Sequence, residues 1–574
     1  MISPSLLSER STVNAVFIAM ANQSQAKPSL AVDPNSGFCL LTRTFHSLRP
    51  DHPVPPLSQP LSIADYACSL LPTSVSSTTV LIDSVTGRLL SYSLFLRQVK
   101  NLASSLVSLA PLSKGHVAFI LSPSSLHIPV LYFSLLSLGV IVSPANPLSS
   151  DSEVAHQVQL VQPVIAFATS STAHKIPNLQ YGTILLDSPQ FLSMIDGLPG
   201  NVNSGSGTVE VSQSDTAAIL FSSGTTGRVK GALLTHGNFI SVISGLHYTR
   251  HLNSNDEARR VYLFPLPLFH VFGFFALISS VAAGDTVVLM RRFDFGEMLK
   301  AVERYKITTM PVSPPLVVAL TKSEFASKYD LSSLRFLGCG GAPLGKEVAE
   351  NFKVKFPNVE ISEGYGLTES SGLATRMIGP EETKRHGSVG RLEKNFEAKI
   401  VDSVSGEALP PGKKGELWLR GPTIMKGYVA DETATTDTLD SEGWLKTGDL
   451  CYFDSHGFLF IVDRIKELIK YKAYQVPPAE LELLLLSHPE IADAAVIPYP
   501  DEDAGQIPMA FVVRKSGSNI IASEVMDFVA KQVAPYKKIR RLSFVNNIPK
   551  SASGKILRRE LVTYALNGSV SSKL

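Results

Sequence analysis

Short apolar runs alternate with longer helix-like stretches over most of the chain. Examples of the short runs are Thr-Val-Leu-Ile at residues 79 to 82 and Val-Ala-Phe-Ile-Leu at residues 117 to 121. Such an alternation is typical of an α/β fold with buried strands. The pattern begins near Leu61 and continues to about residue 460. We therefore predict a large α/β N-terminal domain of several subdomains over residues 61 to 462, followed by a small α+β C-terminal domain over residues 463 to 566.

The regions outside these two domains have a different composition. Residues 1 to 60 are rich in Ser and Pro, which predicts an irregular lead-in. A segment rich in Gly and Ser at residues 200 to 214 predicts a surface loop inside the large domain. Residues 567 to 574 predict a short tail.

Two long stretches without charged residues, at residues 116 to 150 and 261 to 284, raise the question of membrane spans. Several prolines and a histidine interrupt each of them, whereas a spanning helix needs about 20 consecutive apolar residues. We therefore expect buried strands and helices of the α/β core here, and no membrane span.

Composition narrows the class of protein. The chain has 574 residues, 44% of them hydrophobic and 18% charged, which is ordinary for globular domains and too long for a single small one. A net charge of +2 gives no basic field for nucleic acid, so we expect no nucleic-acid partner. The four cysteines include no C-x-x-C pair, which indicates reduced thiols in an intracellular protein.

Basic residues accumulate at the end of the chain. Residues 531 to 574 hold ten Lys or Arg residues and one acid, Glu560. One interpretation is a solvated basic face, and the other is a small basic domain that handles phosphates on a ligand held by the larger domain.

The two ends differ in their targeting signals. The first nineteen residues include Glu9 and Arg10 and lack a sustained apolar run, so they predict no secretory signal, and Met20 is an alternative start. The last three residues are Ser572, Lys573 and Leu574, the tripeptide that a peroxisomal import receptor reads. We therefore expect that receptor as a partner and the peroxisome as the location.

The most informative motif is Ser-Ser-Gly-Thr-Thr-Gly-Arg-Val-Lys-Gly at residues 222 to 231, directly after a predicted strand. Hydroxyls, backbone N–H groups and a lysine in one tight loop can bind a polyphosphate. The Walker A pattern cannot be placed on it. A plain surface turn is the alternative interpretation of this motif taken alone.

Five further motifs come after it in order. They are Gly-Tyr-Gly-Leu-Thr-Glu at residues 364 to 369, Gly-Glu-Leu-Trp-Leu-Arg-Gly at 415 to 421, Trp-Leu-Lys-Thr-Gly-Asp at 444 to 449, Val-Asp-Arg-Ile-Lys-Glu-Leu-Ile-Lys at 462 to 470 and Pro-Lys-Ser-Ala-Ser-Gly-Lys at 549 to 555. Together they resemble the acyl-adenylate-forming superfamily, which includes acyl-CoA synthetases, luciferases and adenylation domains. The resemblance is greatest to its 4-coumarate:CoA ligase-like branch and covers nearly the whole chain after about residue 35.

The resemblance implies an ATP-dependent carboxylate–CoA ligase. A carboxylate would attack the α-phosphate of ATP to give an acyl-adenylate and pyrophosphate, and the thiol of CoA would then displace AMP. The implied ligands are ATP, Mg²⁺, CoA as co-substrate and a small carboxylic acid. Positioning and charge neutralisation are the main demands of such chemistry.

The resemblance also implies roles for the nucleotide-binding residues. Thr368 would contact the α-phosphate, Glu369 would ligate Mg²⁺, and Asp449 and Arg464 would hold the ribose. The β- and γ-phosphates would lie on Ser222, Ser223, Gly224, Thr225, Thr226, Gly227 and Lys230, and the adenine on Gly364, Tyr365 and Gly366.

The catalytic residues implied by the family fall into two groups. Lys555 would serve adenylation from the small domain, and His270 would lie beside the acyl site as a gate or positioning group. Lys466 would be the hinge about which the small domain rotates, so that Lys470 and Gln475 enter the site for thioester formation. For Lys466 and Lys470, spaced i,i+4, an exposed helix face is the alternative.

The chain departs from true hydroxycinnamate ligases in the acyl pocket. Those enzymes have a tyrosine where this chain has Phe272, and a lysine where it has Gly338. Their Ala-Gly-Pro-Val is replaced by Ser-Ser-Gly-Leu at residues 370 to 373. Such changes predict a more apolar and deeper pocket. The predicted pocket residues are Val271, Phe272, Phe275, Gly338, Gly340, Gly372 and Leu373.

These departures leave two substrate classes open. One is a hydroxycinnamate such as 4-coumarate, and the other is a fatty-acid-like or jasmonate-precursor acid. Ala473, where relatives have Gly, could slow thioester formation. Alternatives to a CoA ligase are an adenylating enzyme with another acceptor and an inactive relative that only binds acyl groups or nucleotides.

Overall fold

A computed structural model describes residues 32–197, 209–222, 229–252, 259–472, 474–552 and 554–567. The predicted surface loop at residues 200 to 214 lies outside it for the most part, and so does the C-terminal tripeptide. Within the described residues no helix is both long and apolar enough to cross a bilayer. The structure confirms the predicted class, a large α/β N-terminal region followed by a small α+β domain.

Two sheets with parallel centres form the body of the large region. The first has strands in the spatial order Gly427–Tyr428, Lys230–Thr235, Thr216–Ser222, Ile141–Pro144, Val117–Leu121, Ile165–Ala168 and Thr183–Leu185. The second has the order Arg391–Leu392, Thr375–Arg376, Glu360–Tyr365, Phe336–Cys339, Thr309–Val312, Val261–Phe264, Thr286–Leu289, Thr79–Asp83 and Leu89–Ser91. Their central strands are buried on both faces, which explains the continuous apolar runs in the sequence.

Helices cover both sheets. Those of the large region are Ile63–Ser69, Tyr92–Leu109, His127–Ser137, Asp151–Val161, Pro189–Asp196, His236–Leu252, Val271–Ala282, Phe295–Tyr305, Pro314–Lys322, Lys346–Lys355, Gly379–Thr383 and Glu432–Thr438. The two charge-free stretches fold as predicted into buried strands and helices, because their prolines and histidines fall at element ends or in the first turn of a helix.

A six-stranded antiparallel sheet completes the large region. Its strands are ordered Phe38–Cys39, Thr44–His46, Glu397–Val401, Gly415–Arg420, Leu445–Phe453 and Leu459–Arg464. The prediction of an irregular lead-in is therefore wrong for residues 38 to 46. Phe45 pairs with Ala398 and stacks on Phe453, with ring centroids 4.3 Å apart, so burial of this aromatic ring holds the segment in the sheet.

The small domain is built on a five-stranded sheet. Its order is Tyr474–Val476, Ile469–Tyr471, Gly505–Arg514 and Ile491–Asp501, with Arg541–Phe544 parallel to Gly505–Arg514. Its helices are Pro478–Ser487, Ala522–Ala530 and Arg558–Asn567. A short 3₁₀ segment, Ile465–Glu467, joins it to the six-stranded sheet. We propose that the domain boundary lies in this segment, three to five residues beyond residue 462.

The two regions are in direct contact. The Lys322 ammonium, at the end of the helix Pro314–Lys322, donates to the carbonyls of Leu486 and Ile491 in the small domain at 2.9 and 2.5 Å. A lysine over the terminal carbonyls of a helix satisfies acceptors that have no partner within that helix. These bonds hold the small domain over the carboxyl ends of the parallel strands.

Candidate active site

The described ends of the predicted polyphosphate motif lie on two antiparallel strands. Ser222 ends one strand and pairs with Lys230, which begins the next. The Lys230 ammonium lies 4.8 Å from the ring centroid of Tyr428. The predicted phosphate ligands Ser223, Gly224, Thr225, Thr226 and Gly227 fall outside the described residues, so the structure gives only the two ends of this loop.

Two half-buried side chains around the buried Asp449 form the predicted ribose site. The Tyr365 hydroxyl donates to Asp449 Oδ2 at 2.5 Å, and Arg464 Nε lies 3.2 Å from Asp449 Oδ1. Burial raises the pKa of the Asp449 carboxyl, while the Arg464 guanidinium and the Tyr365 hydroxyl oppose the shift. All three residues line an interdomain cavity of about 1270 Å³, together with Lys466 and Lys555.

Glycines of the adjacent motif allow close approach of backbone segments. A Cβ on Gly366 would lie 2.3 Å from the carbonyl oxygen of Gly372, and one on Gly364 would lie 3.1 Å from the carbonyl oxygen of Thr375. Larger residues would push these segments apart. This packing brings Gly364 and Gly366 to the lining of both the interdomain cavity and a second one.

Glu369 is buried in the 3₁₀ segment Thr368–Ser370. Its Oε1 accepts a 2.8 Å hydrogen bond from the Tyr428 hydroxyl. Among the described residues no cluster of three or more potential metal ligands occurs. A single carboxylate is enough for a Mg²⁺ site in which phosphate oxygens and water supply the other ligands. This ion keeps several waters and is seldom bound by protein ligands alone.

The second cavity, of about 1190 Å³, extends from Lys555 and Thr368 between the helix Val271–Ala282 and the sheet. It is lined by all the residues predicted for the acyl pocket, namely Val271, Phe272, Phe275, Gly338, Gly340, Gly372 and Leu373. The glycines at 338 and 340 leave the sheet surface open under the helix. This cavity is larger than the roughly 300 to 1,000 Å³ typical of small-molecule sites.

His270 and Lys555 both line the second cavity, and Lys555 also lines the interdomain cavity. His270 caps the helix Val271–Ala282 because its Nδ1 accepts from the Phe272 N–H at 3.3 Å, which leaves the ring proton on Nε2. Burial, reinforced by the Lys555 cation, lowers the pKa of His270 to about 4. Burial and Arg464 lower the pKa of Lys555, while Glu369 and Asp449 oppose the shift.

Lys470 and Gln475 lie apart from this site. They are exposed cross-strand partners on the strands Ile469–Tyr471 and Tyr474–Val476, and neither lines either cavity. Lys466 lies in the 3₁₀ segment and Lys470 in a strand, so they share no helix face. Ala473 falls outside the described residues.

Sequence reasoning missed Tyr428, Glu467, Glu482 and Arg558. Tyr428 holds Glu369, and Arg558 forms ion pairs with Glu467 and Glu482 beside the interdomain cavity. Each contact joins residues at least 59 positions apart in the sequence, so the contacts themselves leave no local pattern. The Gly-Tyr pair at residues 427 and 428 is the one local signal, because an isolated glycine in a strand marks close packing.

Fold and site together define a two-domain enzyme with one cavity between the domains, the predicted nucleotide site, and a second cavity inside the larger domain, the predicted acyl cavity. The chain belongs to the AMP-binding enzyme family. The model of the AMP-binding enzyme matches residues 74–429, and that of the AMP-binding enzyme C-terminal domain matches residues 480–555. Within this family the chain is an AMP-forming carboxylate–CoA ligase of the 4-coumarate:CoA ligase-like branch.

Individual relatives cover almost the whole chain. It is 58% identical to 4-coumarate–CoA ligase-like 9 of Arabidopsis thaliana, over 96% of this chain and 99% of that protein. It is 44% identical to peroxisomal OPC-8:0-CoA ligase 1 of the same plant, over 94% and 99%. The structure of ATP-bound MatB from Rhodopseudomonas palustris superposes with a TM-score of 0.77 at 25% identity, over 88% of this chain and 99% of that one.

A solved structure with an acyl-adenylate is also similar. It is o-succinylbenzoate CoA synthetase from Bacillus subtilis in complex with the intermediate OSB-AMP. The TM-score is 0.71 at 27% identity, over 86% of this chain and 97% of that one. The shared fold therefore includes relatives with bound ATP and with a bound acyl-adenylate.

Proposed function

We propose that this ligase activates a fatty-acid-like acid, including jasmonate-precursor acids, through an acyl-AMP intermediate and then forms the CoA thioester. The acyl cavity carries this proposal. It is large, Phe272 offers no hydroxyl for a phenol, and Gly338 places no cation in it. A hydroxycinnamate such as 4-coumarate would leave much of the cavity unfilled, and unfilled volume contributes nothing to binding.

In the first step a carboxylate oxygen attacks the α-phosphorus of ATP, and the bond to pyrophosphate breaks. Negative charge accumulates on the phosphate oxygens during this displacement. Lys555 lines both cavities, so its ammonium would lie between the carboxylate and the α-phosphate. Thr368 would donate to the same phosphate. Fixed donors at such a position stabilise the transition state more than the ground state.

The neutral His270 would hold the substrate carboxylate. Its Nδ1 is occupied by the Phe272 N–H, so Nε2–H is the available donor. Asp449 and Arg464 would bind the ribose, and Glu369 would hold Mg²⁺, which shields phosphate charge when it is bound. These assignments rest on the family resemblance and on the positions of the residues at the two cavities.

In the second step the CoA sulfur attacks the acyl carbonyl, and the bond to AMP breaks. With Lys555 at the site, Lys470 and Gln475 lie outside it. We propose that rotation of the small domain about Lys466 removes Lys555 from the site and brings in Lys470 and Gln475 between the steps. Such domain rotation is a common way to present two catalytic constellations at one site.

We propose a peroxisomal location, with the import receptor as partner. A relative at 44% identity is named a peroxisomal ligase, and the chain carries Ser-Lys-Leu at residues 572 to 574. A fluorescent fusion at the N-terminus should colocalise with a peroxisomal marker, and replacement of Leu574 by Asp should release it to the cytosol.

The activity is tested by mass spectrometry of products from the full-length protein with ATP, Mg²⁺, CoA and a pool of acids. The pool contains 4-coumarate, cinnamate, medium- and long-chain fatty acids and a cyclopentanone-octanoate. We expect aliphatic acyl-CoA products with a higher kcat/KM than for 4-coumarate, and none with Lys555→Ala. A preference for 4-coumarate would overturn the substrate class, and acyl-AMP without thioester would indicate another acceptor.

A further inference from the structure

The loop that carries Lys555 is closed on itself. The Ser551 N–H donates to the Lys555 carbonyl at 2.8 Å, and Ser551 Oγ accepts from the Lys555 N–H at 3.1 Å. Gly554 has a φ of +84°, in the left-handed region that favours glycine. These features fix the shape of the loop. Lys550 ties the loop to the small-domain sheet, because its ammonium donates to Asp493 Oδ2 at 2.6 Å. The contact with the linker between the domains is made by a residue C-terminal to Lys555.

Arg558 lies three residues beyond Lys555, at the start of the helix Arg558–Asn567. Its Nε lies 3.1 Å from Glu467 Oε2, and its Nη2 lies 2.9 Å from Glu482 Oε2. The side chains of Arg558 and Glu482 are only 14% and 9% exposed, so this ion pair is shielded from water, whereas Glu467 is 38% exposed. Glu482 Oε1 accepts from the Val496 N–H at 2.7 Å, which fixes this carboxylate in turn.

The two partners of Arg558 lie in different parts of the small domain. Glu467 belongs to the 3₁₀ linker, directly after the proposed hinge residue Lys466, and Glu482 belongs to the helix Pro478–Ser487. The planar guanidinium reaches both at once, with a hydrogen bond from Nη2 to Glu482 and a charge contact from Nε to Glu467, which an ammonium cannot do with the same geometry. Arg558 therefore links the lysine loop, the linker and this helix.

We propose that Arg558 is a positioning residue for the adenylation step, which it serves by clamping the Lys555 loop to Glu467 and Glu482. The inference rests on the proposed function, because it needs Lys555 to act at the α-phosphate. Lys470 and Gln475 lie on two strands outside this clamp, so the thioester step depends on the clamp less than adenylation does. Misplacement of a catalytic group by about 1 Å can cost about 100-fold in rate.

The test separates the two half-reactions. Adenylation is measured as acyl-dependent exchange of pyrophosphate into ATP, and thioester formation is measured from synthetic acyl-AMP and CoA. For Arg558→Lys and Glu467→Gln we expect adenylation to fall about 10-fold or more and thioester formation to change less than about 3-fold. Arg541→Met, which removes an exposed cation of the same domain outside both cavities, is the matched control and should change neither.

Arg558→Met would leave Glu482 buried without its cation and could unfold the domain. For that reason the milder Arg558→Lys and Glu467→Gln substitutions carry the test, and an intact thioester half-reaction reports a folded domain. Equal losses in both half-reactions, or no loss in adenylation, would overturn the clamp. If the wild-type protein forms neither acyl-AMP nor acyl-CoA, the proposed function fails instead.

Discussion

The hydroxyl of Tyr428 donates a 2.8 Å hydrogen bond to Oε1 of Glu369, and both residues are buried. The bond joins an edge strand of the seven-stranded sheet to the 3₁₀ segment that holds the proposed Mg²⁺ ligand. The Lys230 ammonium lies over the same tyrosine ring. Tyr428 thus connects the end of the polyphosphate loop to Glu369 and restrains the direction of its carboxylate.

Replacing Tyr428 by Phe should weaken Mg²⁺ binding. The substitution keeps the ring under Lys230 and removes the hydrogen bond, whose loss costs about 1 kcal/mol, or roughly a fivefold change in affinity. Titration calorimetry of Mg²⁺ into the ATP complex measures the change directly. Tyr452→Phe, on the six-stranded sheet and outside both cavities, is the control. An unchanged Mg²⁺ affinity would contradict this role of Tyr428.

Much of the architecture could be predicted because its signals are local. Apolar runs mark the central strands, which are buried on both faces, and motif residues cluster at the ends of such strands. The strands Phe38–Cys39 and Thr44–His46 are too short to show alternation, so only pairing defines them. Thr44–His46 pairs with Glu397–Val401, and Phe38–Cys39 pairs in turn with Thr44–His46. Likewise, the contacts of Tyr428 and Arg558 exist only once distant segments have packed.

His270 should remain neutral throughout the working pH range. Burial and the nearby Lys555 hold its pKa at about 4, below the usual 6.5. His270→Asn keeps a capping oxygen for the helix and removes the ring. We expect kcat/KM for the acid to fall at least 10-fold. The ratio of wild-type to variant kcat/KM should be constant from pH 5.5 to 8, and a decline of that ratio below pH 6.5 would show that the imidazole titrates there.

Gly338 should control the accepted chain length. A Cβ at this position meets only Phe336 Cε1 at 3.7 Å, an ordinary contact, so a small side chain fits. A leucine would extend into the acyl cavity that Gly338 lines. We expect Gly338→Leu to lower kcat/KM about 10-fold or more for long-chain acids and less than about 3-fold for short ones, since overpacking costs about 1 to 3 kcal/mol. Gly338→Ala is the control, and equal losses for all chain lengths would contradict the prediction.

Glu363 should make the protein less stable as the pH rises. Burial raises the pKa of this carboxyl to about 8, against 4.5 in the unfolded chain. Between these values the native state holds a proton that the unfolded state has released, so the free energy of unfolding falls by up to about 1.4 kcal/mol per pH unit. Glu363→Gln removes this dependence.

Urea unfolding at pH 5, 6.5 and 8 measures the effect of Glu363→Gln. The variant should gain stability relative to the wild type steadily from pH 5 to pH 8. Other buried carboxyls such as Asp463 and Glu482, whose pKa values are also raised, are present in both proteins and cancel in the difference. A difference that does not change with pH would show that Glu363 is ionised in the native state.

Lys470→Ala and Lys555→Ala should fail in opposite half-reactions. Lys555 lines both cavities, while Lys470 is exposed on a strand outside them. Only Lys555 can therefore act on ATP in this arrangement. We expect Lys555→Ala to lower adenylation at least 100-fold and to retain thioester formation from synthetic acyl-AMP within about 3-fold. Lys470→Ala should retain adenylation and lose thioester formation.

A cross-link between the domains tests the domain rotation itself. The Lys470 N–H donates to Gln506 Oε1 at 2.7 Å, so the strand that carries the lysine is held in the small-domain sheet and must move with it. A cross-link between the domains, for example between cysteines placed at Gly345 and Leu483, whose Cβ atoms would lie 3.7 Å apart, should therefore preserve adenylation and block the thioester step. Reduction of the cross-link should restore it. Thioester formation by the cross-linked enzyme would mean that Lys470 acts without rotation, or that it has no part in the second step.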